Sequence, residues 1–286
     1  MKIISIQSQV VHGHVGNSAA VPVMQALGAD VVAVPTALLS NHPHYLTQRG
    51  QALPTALLED LLRGVDERGL VEEASAIITG YLGSAGNAKI VKAFMERAKL
   101  ADPSPIYVCD PVSGDEDLGE FTSRELRAVL RDRLVPMADV ITPNLWEARM
   151  LTGSRDVASP LALLSQLQAL GPARIVITGG SSSGVNCRTL VGDASGSWEI
   201  STPRLQVRPA GTGDVLTAAL TVGVANGETL IAAAAEAVSL TYSILERTSS
   251  EPWAEMPIQE MSREVASATL DQHRCTTVRK LAGGRL

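Results

Sequence analysis

Residues 208 to 220 read RPAGTGDVLTAAL, with two glycines, a threonine and a carboxylate at the mouth of a run of small, mostly apolar residues. A Gly-x-Gly turn that feeds a helix leaves backbone N–H groups unpaired at the positive end of the helix dipole, which is a place for an anion. Asp214 is itself an anion there, so it either caps the helix or serves as a base beside a phosphate. In the second role the N–H groups of Gly211, Thr212 and Gly213 steady the charge that develops on a transferring phosphoryl group, and Asp214 takes the proton of the attacking hydroxyl. Asp110, Asp115 and Glu147 fall near other expected strand ends and favour that reading, because Mg²⁺, which accompanies a triphosphate, wants oxygen ligands. Their alternative role is ordinary capping and solvation.

Other chemistries lose their support. The G-x-x-x-x-G-K-[ST] phosphate loop is absent, and the five lysines (Lys2, Lys89, Lys92, Lys99, Lys280) leave little for a Schiff-base cofactor. GHVGNSAA at 13 to 20 is not a dinucleotide fingerprint: its spacing is wrong, and Pro35 and Thr36 stand where the acidic residue would follow. Gly13 and Gly16 are expected to leave room for a ligand, and Asn17 or Ser18 to cap a helix. His12, His14, His42 and His44 come in pairs spaced by two without a nearby cysteine, which disfavours zinc. His42 is expected to hydrogen-bond a ligand or a loop backbone, and His44 to be exposed.

These residues need elements to hold them. Nearly continuous Val and Ile runs at 2–7, 30–36, 75–80, 106–112, 139–144 and 173–180 read as parallel strands buried on both faces. Helical patterns lie between them at 54–69, 87–100, 122–134 and 160–171; in the second, Ile90, Val91, Phe94, Met95 and Ala98 face one side and Lys89, Lys92, Glu96 and Lys99 the other. The alternation predicts a three-layer α/β/α fold with a mostly parallel central sheet. Ligands bind outside the carboxyl ends of such strands, where Ser8, Asn41-His42, Gly80-Tyr81, Asp110-Pro111, Thr142-Pro143-Asn144 and Thr178-Gly179-Gly180 fall. Residues 186–205 predict a small antiparallel pair at one edge, followed by Ala-rich helices at 213–225 and 228–247. The polar tail predicts a helix at 257–270 and fraying from about 271. No linker divides the chain, so residues 1–286 are expected to form a single domain.

The net charge of −6 argues against a broad nucleic-acid footprint and for small-molecule partners. Three distant cysteines, Cys109, Cys187 and Cys275, imply no disulfide framework and fit a reducing compartment. The amino-terminal stretch reads as a strand rather than a signal, no window resembles a membrane span, and cytoplasm is the expectation.

The stretches SIQSQVVHGHVGNSAA, LSNHPHY, ITGYLGS, VCDPVSGD, ITPNLWEA and GTGD resemble the pyridoxal kinases of the ribokinase-like superfamily over most of the chain. GTGD marks the superfamily; the first two stretches and GYLGS point to the pyridoxal kinases within it. The resemblance implies ATP-dependent transfer of the γ-phosphoryl group to the 5′-hydroxyl of pyridoxal, with pyridoxine and pyridoxamine as related substrates. Asp214 is then the base, Ser8 hydrogen-bonds the pyridine ring, and His42 and Tyr81 line its pocket. Asp110, Asp115 and Glu147 organise Mg²⁺ and its waters, while Asn144, Thr178 and Gly179, with Thr212, sit on the nucleotide and phosphate side. Family members are usually homodimers, and many use a monovalent cation such as K⁺. Two residues depart from the pattern: Pro43 replaces a Thr whose hydroxyl can reach substrate, and Ser113, in place of a larger apolar residue, is expected to loosen the packing beside Asp110. The alternatives are a hydroxymethylpyrimidine or sugar kinase, whose own substrate-loop patterns are not evident, and a vitamin B6-binding protein that lost turnover, which predicts damage to GTGD or the acids. Residues 116–121, EDLGEF, are a candidate lid.

Overall fold

A computed structural model describes residues 1–154, 159–179, 184–251, 254–260 and 276–281. The first half runs β1 (Lys2–Val10), α1 (Asn17–Ala26), β2 (Asp30–Leu39), β3 (Gly50–Ala52), α2 (Thr55–Glu67), α3 (Leu70–Glu73), β4 (Ala74–Thr79), α4 (Ala85–Ala98) and β5 (Ile106–Cys109). A short hairpin follows, β6 (Gly114–Asp115) and β7 (Gly119–Glu120), then α5 (Arg124–Val129), β8 (Val140–Ile141), α6 (Leu145–Thr152), α7 (Pro160–Gln168) and β9 (Arg174–Ile177). The last elements are β10 (Asn186–Asp193), β11 (Gly196–Pro203), α8 (Thr212–Ala225), α9 (Leu230–Arg247) and β12 (Thr277–Lys280).

One ten-stranded sheet has the order β12-β11-β10-β9-β8-β5-β4-β1-β2-β3. Its centre, β2-β1-β4-β5-β8-β9, is parallel, and β3 and β10 to β12 are antiparallel. Side chains alternate across the sheet with the two-residue period of a strand: Ile3 packs with α1, α8 and α9, whereas Ile4 and Ile6 pack with α2 and α4 to α7. These are the three layers the sequence predicts. Small residues let α8 and α9 approach closely, so that a Cβ placed on Gly223 would lie 2.7 Å from the Cβ of Ala233. Among the described residues no helix is long and apolar enough to cross a membrane.

Several boundaries move for local reasons. The run expected at 139–144 is a strand only at Val140–Ile141, because the chain turns at Pro143 into the cap of α6. The helix expected at 122–134 passes from α5 into a π-helical turn at Leu130–Leu134. The antiparallel pair is present as β10 and β11 at one edge of the sheet, where β12 extends it by one more antiparallel strand. Part of the tail expected to fray is instead strand β12, which pairs with β11 in the register Trp198 to Lys280, and the Lys280 ammonium lies 5.6 Å from the Trp198 ring centroid. Most of the helix expected at 257–270 lies outside the described residues, as do 271–275 and 282–286.

Candidate active site

The parallel strands end along one crevice, which opens into a cavity of about 490 Å³. Ser8, His42, Tyr81, Asp110, Asp115, Asn144, Glu147, Thr178, Gly211, Thr212, Gly213 and Asp214 all line it. Gly179 does not; it sits at φ +68° in open space beyond Thr178.

Asp214 occupies the first turn of α8, whose next ten residues, Val215 to Val224, are buried. An apolar helix held inside the fold presents its N-terminus to the crevice. Val215 closes the first helical bond, to the Gly211 carbonyl at 3.0 Å, so the N–H groups ahead of it have no partner in the helix ladder. Gly211 must be glycine: its φ is +83°, and a Cβ there would lie 1.8 Å from the His14 carbonyl oxygen. Burial pushes the Asp214 carboxyl up to about 6, against a lowering hydrogen bond from the Gly16 backbone N–H.

That N–H comes from the turn after β1. A register shift against β2 between Gln7 and Gln9 marks an irregularity that includes Ser8, a device that re-aims side chains beside sites. Gly16 begins α1 at φ +55°, where a Cβ would meet the Ser8 carbonyl oxygen at 2.3 Å and its hydroxyl at 2.6 Å. Gly16 thus makes room for Ser8 while also lining the cavity, whereas Gly13 makes room for protein, since a Cβ there would lie 2.4 Å from Glu255 Oε1. Asn17 and Ser18 do not cap α1. Asn17 donates to the Gln7 and Val34 carbonyls, and Ser18 bonds the Val10 backbone, tying the helix start to the sheet.

The acids share the cavity without forming one ligand set. Burial raises the Asp110 carboxyl well above its usual range, the charges of Glu147 and Asp214 add to this, and the Thr217 hydroxyl lies 3.3 Å from its Oδ2. Thr217 also lies 2.9 Å from Thr142 Oγ1. Glu147 forms a capping box with Asn144: each accepts the other's backbone N–H at 2.9 Å. Its Oε1 accepts the Ser113 N–H at 2.8 Å, and burial still lifts its pKa to about 8. Asp115 turns to its own hairpin, where Oδ1 accepts from Asp117 and Leu118 at 2.9 and 2.6 Å. Among the described residues no three His, Cys, Asp or Glu side chains gather to hold a metal ion. Ser113 is fully buried, and its hydroxyl donates to the Pro111 carbonyl at 2.5 Å, so it is anchored rather than loose.

At the ends of β8 and β9 the Asn144 amide donates to the Gly114 carbonyl at 2.9 Å, and Thr178 pairs with Asn144 across a β-bridge. At the other end His42 is buried, and His44, expected to be exposed, is half-buried against the same cavity. Burial and the neighbouring His42 lower the pKa of His44. Tyr81 is half-buried beside Phe121 of the loop after β7, with ring centroids 6.5 Å apart. Across the mouth Arg208 is ion-paired with Asp117, and it is the one Arg or Lys among the described lining residues. The sequence reading missed Gly16 as a hydrogen-bond donor, Thr217, Arg208 and Glu255. Gly16 stands within GHVGNSAA, and Arg208 and Thr217 flank the GTGD turn, so position could have flagged those three; Glu255 stands in no motif.

Comparison with known proteins places this geometry. A family model described as phosphomethylpyrimidine kinase matches residues 12–256. Pyridoxal kinase PdxY of Leifsonia xyli subsp. xyli is 37% identical over 253 residues, covering 87% of this chain and 89% of that protein. The pyridoxine/pyridoxal/pyridoxamine kinase of Bordetella avium is 37% identical over 235 residues, 80% and 79% of the two chains. Among solved structures, pyridoxal kinase from Leishmania donovani in complex with ADP and pyridoxamine superposes with a TM-score of 0.87 at 25% identity, covering 98% of this chain and 99% of that one.

Proposed function

The chain belongs to the pyridoxal/pyridoxine/pyridoxamine kinases of the ribokinase-like superfamily, and on that premise we propose that it transfers the γ-phosphoryl group of ATP to the 5′-hydroxyl of pyridoxal, giving pyridoxal 5′-phosphate, with pyridoxine and pyridoxamine as further substrates. The observation that supports this most is Asp214, half-buried on the cavity wall at the N-terminal turn of α8, with its pKa at about 6. A carboxylate near neutrality is both deprotonated at working pH and basic enough to draw a proton from an alcohol as its oxygen attacks phosphorus. The N–H groups of Gly211, Thr212 and Gly213 face the equatorial oxygens, where charge spreads as the bond to ADP breaks. Ser8 orients the pyridine ring, with His42 and Tyr81 around it; Asn144 and Thr178 hold the nucleotide side. Closure of the crevice excludes water, which would otherwise compete as the acceptor.

The oxygen-only character of the groups near Asp110 suits a hard cation, and its raised pKa reflects burial first and then the nearby charges of Glu147 and Asp214. Mg²⁺ brought by the nucleotide would be held by Asp110 and Glu147 through water and would offset phosphate charge, with K⁺ as a monovalent companion. The same family premise carries the expectation of a homodimer, and the cysteine usage that of a cytoplasmic location.

The test is ATP-dependent formation of pyridoxal 5′-phosphate, followed by absorbance with Mg²⁺ and K⁺ present. Asp214→Asn is expected to lower kcat by about 10²- to 10⁴-fold, the usual span for a lost general base, with nucleotide binding retained. A folded protein that phosphorylates no B6 vitamer would refute the substrate assignment. The match to the phosphomethylpyrimidine kinase model supports a second reading, so hydroxymethylpyrimidine belongs in the same assay.

A further inference from the structure

Glu255 comes after α9, outside every motif of the site, yet its carboxylate joins both loops at the substrate end of the cavity. Oε1 accepts from His42 Nε2 at 3.1 Å and from the Tyr45 hydroxyl at 3.0 Å. Oε2 accepts the His14 backbone N–H at 2.9 Å; it lies 3.4 Å from His14 Nδ1, an ion-pair distance without hydrogen-bond alignment. Gly13 alone lets the carboxylate approach, as its missing Cβ shows. Burial by itself would raise the pKa of Glu255, but the bonds from His14, His42 and Tyr45 outweigh it and hold the carboxyl well below its usual range.

The cavity residue under this control is His42, which is 1% exposed. Its Nδ1 accepts the His44 backbone N–H at 3.3 Å, so Nδ1 carries a lone pair and Nε2 carries the proton directed at Glu255. Both ring nitrogens are thereby committed to protein, and only ring carbon remains for the cavity. This refines the expectation that His42 bonds a ligand or a loop: it bonds the loop.

We propose that Glu255 is a positioning residue for vitamer binding, locking His42 as the neutral Nε2–H tautomer so that it packs against the substrate ring instead of hydrogen-bonding it. The role rests on the B6 reading above. Polar recognition at this end then falls to other groups, Ser8 first. Pro43 lines the cavity beside His42 and also lacks an N–H, so neither residue offers the cavity a donor.

Two measurements test it. In wild-type enzyme with ¹⁵N-labelled histidine, His42 is expected to show a protonated Nε2 and an unprotonated Nδ1, and to keep that pattern when pyridoxal binds. An Nδ1–H tautomer or an imidazolium in the pyridoxal complex would overturn the proposal. In Glu255→Gln, which sets an NH₂ against the converging donors, KM for pyridoxal is expected to rise about tenfold or more while KM for ATP stays within about twofold. An unchanged pyridoxal KM, or an equal rise for ATP, would overturn it too. If the variant fails to fold, the wild-type spectrum still decides. If wild-type enzyme turns over no vitamer, the substrate reading falls while the apo spectrum still reports what Glu255 does to His42.

Discussion

At the scale of single residues the site is a set of carboxylates kept from water. Asp214 is lifted by burial to about 6 against one lowering backbone donor, whereas Glu147 is lifted by burial to about 8 in spite of the lowering N–H bonds from Asn144, Ser113 and Gly114, with the charge of Asp115 adding to the rise. A base works only when ionised, so kcat/KM for the vitamer is expected to fall as pH drops through about 6 and to level off above it. A pH–rate profile of the free enzyme under subsaturating pyridoxal checks this; a profile flat from pH 5 to 7 would remove Asp214 as the titrating base. Asp214 was legible in the sequence because a helix-opening GTGD turn dictates what it binds. Glu255 was not, because nothing in a polar tail says which loop a lone acid will meet.

At the scale of elements, the helix that carries Asp214 is fixed by close packing. Gly223 of α8 lies against Ala233 of α9, with no space for a side chain. Gly223→Val is expected to destabilise the fold by about 1–3 kcal/mol, the usual cost of overpacking. Urea denaturation checks this, and activity per folded molecule at low urea shows whether the turn of α8 has moved. The parallel strands were legible because burial on both faces demands unbroken Val and Ile. β12 was not: Thr277, Val278, Arg279 and Lys280 are all exposed, and pairing at a sheet edge needs backbone more than pattern. The role of Gly13 was misread for a related reason, since what a missing Cβ makes room for is set by residues distant in sequence, here Glu255.

At the scale of the whole molecule, buried acids tie stability to pH. The folded pKa values of Glu147 and Asp110 lie above the unfolded carboxylate range, so the native state holds more protons than the unfolded chain at neutral pH. Stability therefore falls as pH rises toward the folded values, the opposite of an ion-paired carboxylate. His44, whose pKa is lowered, acts in the other direction only below its ordinary value, and Glu255 only in acid. Tm is accordingly expected to fall between pH 7 and 8.5, and Asp110→Asn to flatten that slope; differential scanning fluorimetry in matched buffers checks both. A Tm that rises across the window would mean that these acids are solvated.

The bond from His14 to Glu255 spans 241 positions of sequence. A growing chain can pair β1, β2, β4, β5, β8 and β9 long before residue 255 exists, so the scaffold of the crevice is complete while its far wall still lacks its clasp. The clasp at the substrate end thus arrives with the last core residues, Met256 and Ile258, which are buried against the same helices, α1, α8 and α9.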